Sequence, residues 1–481
     1  MEAMRGRGSV GVSVGLLGLL GALAPAAAAA PAGPAGGLSL EEAVARAVRR
    51  SPEIASGVAD VEAFLGKQAQ ADGARFPQLS AVGILGPAPA ATRGARGSEP
   101  AALQALNVKE GTVDAVFGRT DFLLLQPLYT FGLISNLRAA AAHGVQAQRA
   151  AVDRTTAEVA LRVREAYWGL VLARELGTHL GDLHEQLQTA AEREATLVEG
   201  GFAAEQDLFK LRTFEGELEK NLNLTRRLAD IAQEALRVWT GLPAAPAITP
   251  GDARLPPAGG PPGPLADYLR DAQAKRPEFI ALREGLRAKQ ALAEAERARY
   301  WPLVFFGIQG SVAYAPTRAG IGNNAYVTDP LNHAYAGPVL GLKYDLDFGI
   351  TRGRVQEADA EVGKLVALQA HAVEGIALQV QKAYGELVEA HRNVAALDRA
   401  NEYARKWVVT ALANVDLGIG DTKDLADAVL AMAKSRADSL QALFNYHMGL
   451  ARLDNAAGRD LDALRELVRG RHTMDKSEED R

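Results

Sequence analysis

Cysteine is absent from the 481-residue chain, which excludes disulfides, thiolate metal ligands, catalytic thiols and a lipid-modified N-terminal cysteine. The sequence also lacks a strong excess of either charge, because acidic and basic residues are interspersed to a net charge of −5. That balance provides no basic surface for nucleic acid. Beyond the N-terminal region no stretch has about 18 continuous apolar residues, so no transmembrane helix is predicted. A membrane role would therefore require β-strands.

The N-terminal region has the order of a secretory signal peptide. Arg5 and Arg7 precede an apolar run from Val10 to Leu23, and small residues follow at Ala26–Ala30. The apolar run is shorter than the ~20 residues that a membrane-spanning helix needs. We therefore predict a signal peptide at residues 1–30, with cleavage within the small residues. The alternative is an Ala-rich tail.

The rest of the chain repeats one pattern. "SPEI" (Ser51–Ile54) matches "RPEF" (Arg276–Phe279) at an offset of 225, which also aligns "RFPQL" with "YWPLV". Further along the offset becomes 217, where "VEGGFAAEQDL" (Val198–Leu208) matches "VDLGIGDTKDL" (Val415–Leu425). The mature chain is therefore predicted to be a tandem duplication.

Proline and glycine mark the boundaries of the two copies. The first repeat is predicted at residues 38–242 and the second at 263–460, with a Pro-rich linker at 243–262 and a C-terminal tail at 461–481. Each repeat predicts the same elements in the same order. Two short helices lead to a strand, a variable loop and a second strand that ends at Phe-Gly. A very long helix, a Gly-containing turn and a returning helix follow.

The long helices are predicted at residues 132–199 and 349–416. A helix of ~68 residues spans about 100 Å and cannot be buried within a compact domain. In the second repeat a seam with heptad spacing indicates coiled-coil packing. Its members are Val373, Ile376, Val380, Ala383, Leu387, Ala390, Val394 and Leu397. Such heptads alone would favour an ordinary soluble coiled coil.

The pattern of the predicted strands favours a membrane protein over a soluble coiled coil. In Val304–Tyr314 and Val339–Phe348 the even positions are mainly apolar, and the odd positions include most of the polar residues. Strands of about ten residues with one apolar and one polar face are typical of a transmembrane β-barrel. Tyr314 and Tyr344 are predicted to lie near the membrane interfaces. "DFLLLQPLY" (Asp121–Tyr129) is apolar on both faces, so a soluble sheet remains the alternative.

Four such strands cannot close a barrel, and open strand edges are not tolerated in lipid. Three chains would supply twelve strands, which leaves room for a water-filled lumen. The predicted fold class is therefore mainly α with a β-barrel portion. A long antiparallel coiled-coil helical tunnel is joined to four transmembrane β-strands per chain, and trimerisation completes the barrel.

The signal peptide, the tandem copies, "SPEI", "FPQL", "QPLYTFG" and the glycine turns together resemble the TolC-type outer-membrane efflux family. The resemblance covers residues 38–460. It implies the outer-membrane duct of a tripartite efflux or type I secretion system, a homotrimer without enzymatic activity or cofactor. Its partners would be a periplasmic adaptor, an inner-membrane pump and outer-membrane lipid. Loops at about 87–118 and 315–336 would face outside the cell, and the helical tunnel would lie in the periplasm. The alternative function is a soluble periplasmic coiled-coil scaffold or adaptor.

The resemblance also implies two kinds of site residue. The family carries two aspartates, six and nine residues after a tip glycine, and Asp424 and Asp427 follow Gly418 at these spacings. Both are implied to line the pore constriction, whereas the first repeat has Asp207 and Lys210 at the matching positions. The hairpin tips are implied to contact the adaptor. Their residues are Gly200, Gly201, Phe202, Gly418, Ile419 and Gly420.

Simpler roles compete for the acidic residues of the second tip. Asp421 directly follows the turn and is predicted to cap the returning helix. Asp424, in the first turn, is also favoured by the helix dipole, but neither effect explains Asp427. "DTKDLAD" lacks EF-hand spacing and its distal glutamate, and the histidines are scattered. We therefore predict no metal site and no catalytic site.

Overall fold

A computed structural model describes most of the mature chain. The described residues are 37–89, 91–93, 106–108, 113, 115–316, 329–417, 419 and 422–469. The predicted signal peptide lies outside the described residues, as do Gly418, Gly420 and the predicted helix cap Asp421.

Both repeats have the same main elements in the same order, and the first repeat has two additional short strands. The helices are α1 (Leu40–Arg50), α2 (Pro52–Gly73), α3 (Leu133–Glu199), α4 (Glu205–Thr240), α5 (Leu265–Lys275), α6 (Pro277–Ala298), α7 (Ile350–Asp416) and α8 (Thr422–Ala457). The strands are β1 (Gln78–Ala88), β2 (Ala91–Arg93), β3 (Leu106–Val108), β4 (Ala115–Tyr129), β5 (Leu303–Tyr314) and β6 (His333–Lys343). Residues 461–469 form a further helix, here called the C-terminal helix.

The duplication is visible in the lengths of the helices. Helices α3 and α7 contain 67 residues each, and the returning helices α4 and α8 contain 36 each. We call α3 with α4 the first hairpin and α7 with α8 the second hairpin. At about 1.5 Å per residue each long helix extends about 100 Å, which confirms the predicted elongated, mainly helical fold. None of the helices in the described part of the chain combines the length and apolar character of a membrane span.

The backbone repeats itself where the returning helices end. Gly241 follows α4 with φ 66°, and Gly458 follows α8 with φ 69°. Both lie in the left-handed region, which costs a side-chain-bearing residue about 1–2 kcal/mol. The two glycines are 217 positions apart, which is the offset found in the sequence.

The predicted heptad seam forms the core of the second hairpin. Its buried members are Ile376, Val380, Ala383, Leu387, Ala390 and Val394, and Leu397 packs against them. The prediction was wrong for Val373, which is 44% exposed. Helix α8 ends at Ala457, which packs in the same cluster. The earlier part of α7 lies beside α6, where Arg297 Nη2 is 2.6 Å from Asp359 Oδ1.

A larger core surrounds the first hairpin and receives other parts of the chain. The Pro-rich linker contributes the buried side chains of Ile248 and Leu255. The C-terminal helix contributes Leu461 and Leu464 to the same core. Both segments therefore pack on the first repeat. The linker is also hydrogen-bonded to α3 and α8, through Arg174 to the carbonyl oxygen of Ile248 and through His447 to that of Pro256.

The strands of both repeats form one antiparallel sheet in the order β1-β4-β5-β6. The central β4–β5 pairing joins the two repeats, and β1 and β6 are the two edges. Several boundaries differ from the prediction. Strand β4 begins at Ala115, and β2 pairs with β3 within the predicted loop 87–118.

The last strand begins and ends earlier than the pattern predicts. Strand β6 spans His333–Lys343 in place of Val339–Phe348. Its ladder ends where Lys343 faces Leu303, the first residue of β5. Among the described residues no strand lies opposite the residues after Lys343, so alternating sequence alone does not extend the strand.

Candidate functional site

The tip of the first hairpin is a short turn that exposes an aromatic side chain. Helix α3 ends before Gly200, and Gly201 has a left-handed conformation. The backbone N–H of Phe202 donates to the carbonyl oxygen of Leu197 at 2.8 Å. This hydrogen bond closes the turn, while the ring of Phe202 remains 85% exposed.

The tip of the second hairpin exposes aliphatic side chains. The backbone N–H of Ile419 donates to the carbonyl oxygen of Asn414 at 3.0 Å. The side chain of Ile419 is 77% exposed, and that of Leu417 is also exposed. Each tip therefore presents apolar surface at the end of a long hairpin.

The two predicted pore residues lie in the first turns of α8. Asp424 is exposed, and its Oδ1 accepts a hydrogen bond of 3.1 Å from the indole Nε1 of Trp407 on α7. Asp427 is half-buried and has no hydrogen-bond or ion-pair partner within the described part of the chain. The Trp407 contact was missed from the sequence because it joins two helices across the hairpin.

The neighbouring residues orient this end of α8. Ala426 is buried against Leu187 and Ala191 of α3 and Leu211 of α4. An alanine allows the helices to approach closely, and the buried position fixes which face of α8 meets the first hairpin. At about 100° per residue, Asp424 lies on nearly the opposite side of α8 from Ala426, and Asp427 lies to one side of the contact.

The matching residues of the first hairpin have a different charge arrangement. Lys210 Nζ lies 2.8 Å from Asp207 Oδ1 in an i,i+3 ion pair. Burial and the carboxylate of Asp207 raise the pKa of Glu194 on α3. In the described residues no cluster of three or more His, Asp or Glu side chains is arranged to hold a metal ion.

A polar contact joins the second hairpin to the first at a distance from the tips. We call Glu175, His179 and Arg436 the clasp. Arg436 Nη2 donates to Glu175 Oε1 at 2.9 Å and lies 3.3 Å from His179 Nε2. The other carboxylate oxygen of Glu175 accepts the backbone N–H of Leu255 in the linker at 3.0 Å. Burial and the charge of Arg436 lower the pKa of His179.

The sheet has one apolar face. The register places alternate residues of all four strands on that side. Its exposed apolar members include Leu79, Leu85, Val312, Leu340 and Leu342. An apolar face that remains exposed in the single chain is the pattern expected of strands that contact lipid.

The opposite face of the sheet carries most of the polar groups. Arg119 Nη2 lies 2.8 Å from Asp121 Oδ1 on β4. On the neighbouring strands, His333 Nε2 lies 2.8 Å from Ser311 Oγ. The alternation predicted for the second repeat therefore continues into β4, although much of that strand is apolar on both faces.

An aromatic cluster lies where the sheet meets the helices. The rings of Tyr129 and Phe131 are 4.6 Å apart, and Phe131 stacks on Trp301 at 5.3 Å. Tyr344, one of the two predicted interface residues, follows β6 near this end, whereas Tyr314 is at the other end of the sheet. The cluster was missed from the sequence, although aromatic residues next to both strand ends were a usable signal.

No family model and no curated protein matches the sequence. Solved structures match over most of the chain. The outer-membrane channel OprN has a TM-score of 0.71 at 16% identity, with 87% of this chain and 89% of OprN covered. The CmeC outer membrane channel of Campylobacter jejuni has a TM-score of 0.71 at 12% identity, covering 87% and 85%. The open state of the MtrE outer membrane channel of Neisseria gonorrhoeae has a TM-score of 0.66 at 18% identity, covering 88% and 89%.

These comparisons establish the fold. The chain has the architecture of outer-membrane channel proteins, with long helical hairpins continued by an antiparallel sheet. The TolC-type fold predicted from the sequence is therefore confirmed.

Proposed function

We propose that this protein is the outer-membrane duct of a tripartite efflux or type I secretion system. The observation that carries the proposal is the fold shared with outer-membrane channels over 87% of the chain. The exposed apolar face of the four-stranded sheet supports it independently, since a soluble scaffold would have to cover that face. The duct is passive, has no enzymatic activity, and relies on a partner pump for energy.

The sheet also supports the proposed homotrimer. Strands β1 and β6 are open edges in the single chain, and open edges are not stable in lipid. Pairing β6 of one chain with β1 of the next closes twelve strands around a water-filled lumen. Exposed apolar residues on the helices, including Leu228, Ile231 and Leu378, supply further surface for contacts between subunits.

The pore entrance is proposed to lie at the start of α8. A trimer places Asp424 and Asp427 in two rings of three carboxylates, and such rings attract cations and select by charge. The tips are proposed to contact a periplasmic adaptor, which links them to an inner-membrane pump. Their residues are Gly200, Gly201, Phe202, Gly418, Ile419 and Gly420.

Membrane fractionation and conductance test the proposed function together. The protein is expected to sediment with outer membranes and to resist extraction by high salt. Purified protein is expected to form ion-conducting pores in planar lipid bilayers. A protein released with the soluble periplasm, and without conductance after purification, would instead support the scaffold function and overturn the proposal.

A further inference from the structure

Trp407 contacts one member of the acidic pair directly. The indole Nε1 of Trp407 lies 3.1 Å from Asp424 Oδ1. The two residues belong to different helices and are 17 positions apart, so the contact spans the second hairpin close to its tip. Trp407 is 42% exposed, and its ring therefore contributes only part of its surface to packing.

The chemistry of the donor distinguishes this contact from the one in the first hairpin. An indole N–H donates a hydrogen bond but carries no net charge. It can hold the carboxylate of Asp424 in place and leave its negative charge intact. In the first hairpin the corresponding carboxylate of Asp207 is bound by the ammonium group of Lys210 at 2.8 Å, which offsets its charge.

Orientation matters because a surface carboxylate has several rotamers. An Asp side chain that samples these rotamers spreads its charge over a larger volume and coordinates a passing cation less well. A hydrogen bond to an ionised group is stronger than one between neutral groups. A single well-placed donor is therefore sufficient to favour one rotamer.

We propose that Trp407 is a positioning residue that orients the Asp424 carboxylate at the entrance, and that cation selectivity depends on this indole N–H. The inference rests on the proposed channel function. It assigns part of the selectivity to α7, whereas the spacing of the acidic residues points only to α8.

The experiment uses the full mature protein in planar bilayers, with La³⁺ alone as the blocking cation. Trp407→Phe removes the N–H and keeps an aromatic ring. It is expected to raise the half-blocking concentration by about three- to tenfold, the range of a lost hydrogen bond, with little change in open-channel conductance. The matched control is Tyr403→Phe, which alters an exposed aromatic residue one turn earlier on α7. It should leave block unchanged.

A double-mutant cycle separates positioning from a general effect on structure. In an Asp424→Asn background, Trp407→Phe is expected to add nothing to the change in half-blocking concentration. An equal shift in both backgrounds would overturn the inference, as would no shift in the wild-type background. If Asp424→Asn alters block and Trp407→Phe does not, only this inference fails. If the wild-type protein does not conduct, the proposed function fails.

Discussion

The two hairpins have the same lengths and turns but differ in charge close to their tips. The first hairpin has the ion pair Asp207–Lys210, and its counterpart in the second hairpin is Asp424 with Asp427. Trp407 has Ala190 as its counterpart at the same offset. The duplication therefore accounts for the hairpin and for one carboxylate in each copy, while the second carboxylate, Asp427, and the indole of Trp407 are specific to the second copy. If the proposed entrance lies at Asp424 and Asp427, only one of the two hairpins supplies its acidic pair.

The largest expected effect comes from removing the acidic pair. Asp424→Asn together with Asp427→Asn is expected to raise the half-blocking concentration of La³⁺ by about 100-fold, since each nearby charge contributes ~1–4 kcal/mol. The measurement is single-channel block in planar bilayers. The control combines Asp207→Asn with Lys210→Gln, which leaves the net charge of the first tip unchanged. Similar shifts for both pairs would show that the hairpins do not differ in function.

The second prediction concerns the clasp that joins the hairpins. The side chain of Glu175 is buried, and Glu175→Gln leaves Arg436 without its charged partner. We expect a loss of about 1–3 kcal/mol in the free energy of unfolding, the cost of an unpaired, largely buried group. Thermal unfolding in detergent provides the measurement.

A matched control for the clasp is Glu158→Gln. Glu158 lies on the same helix in an exposed pair, 3.7 Å from Arg154, and exposed pairs of this kind contribute about 0–1 kcal/mol. The two variants remove the same charge from α3. Equal losses of stability would mean that the clasp does not hold the second hairpin against the first.

The third prediction compares the glycines that end the returning helices. Alanine is expected to destabilise the protein by about 1–2 kcal/mol at either site, because both have left-handed conformations. A Cβ at Gly241 would meet the side chain of Arg50, which can move aside. A Cβ at Gly458 would lie 3.2 Å from the main chain of Lys275, which cannot easily do so. Gly458→Ala should therefore lower the melting temperature more than Gly241→Ala, and the reverse order would contradict the argument.

The smallest expected effect is the pH dependence of the clasp. Burial and the charge of Arg436 lower the pKa of His179 in the folded protein. As the pH falls, His179 is therefore protonated in the unfolded chain before it is protonated in the folded protein. The contribution of neutral His179 to the free energy of unfolding is complete above the unfolded pKa of about 6.5. It is lost as the pH falls through the lower pKa of the folded protein. His179→Asn should flatten the decline in melting temperature below pH ~6.5 by about 1–2 °C. The control His371→Asn, on an exposed part of α7, should retain the wild-type slope.

Periodicity predicted the helices well because it extends over many residues. The 67-residue helix α7 was located to within one residue of each end. The long helix and its Gly-containing turn occur in both copies, so two segments supported these boundaries. The heptad seam was wrong only at Val373, which is exposed because α8 ends before its level.

Contacts between distant segments could not be predicted in the same way. The bond from Trp407 to Asp424 depends on how two helices are rotated against each other, and heptad spacing does not determine the position of each exposed side chain. The C-terminal helix was described as a tail. Leu461, Leu464 and Val468 have the spacing of an amphipathic helix, so that signal was present in the sequence. The ends of β6 depend on its strand partner, which the sequence alone does not supply.

The position of the clasp has a mechanical consequence. Asp424 lies twelve residues before Arg436 on α8, a distance of about 18 Å along a rigid helix. If α8 tilts about the clasp by ~10°, the Asp424 end moves by about 3 Å. In a trimer with all three helices tilting outwards, the ring of carboxylates would widen by about twice that distance. In the proposed trimer the clasp would therefore be the pivot at which a small rotation of α8 changes the width of the entrance.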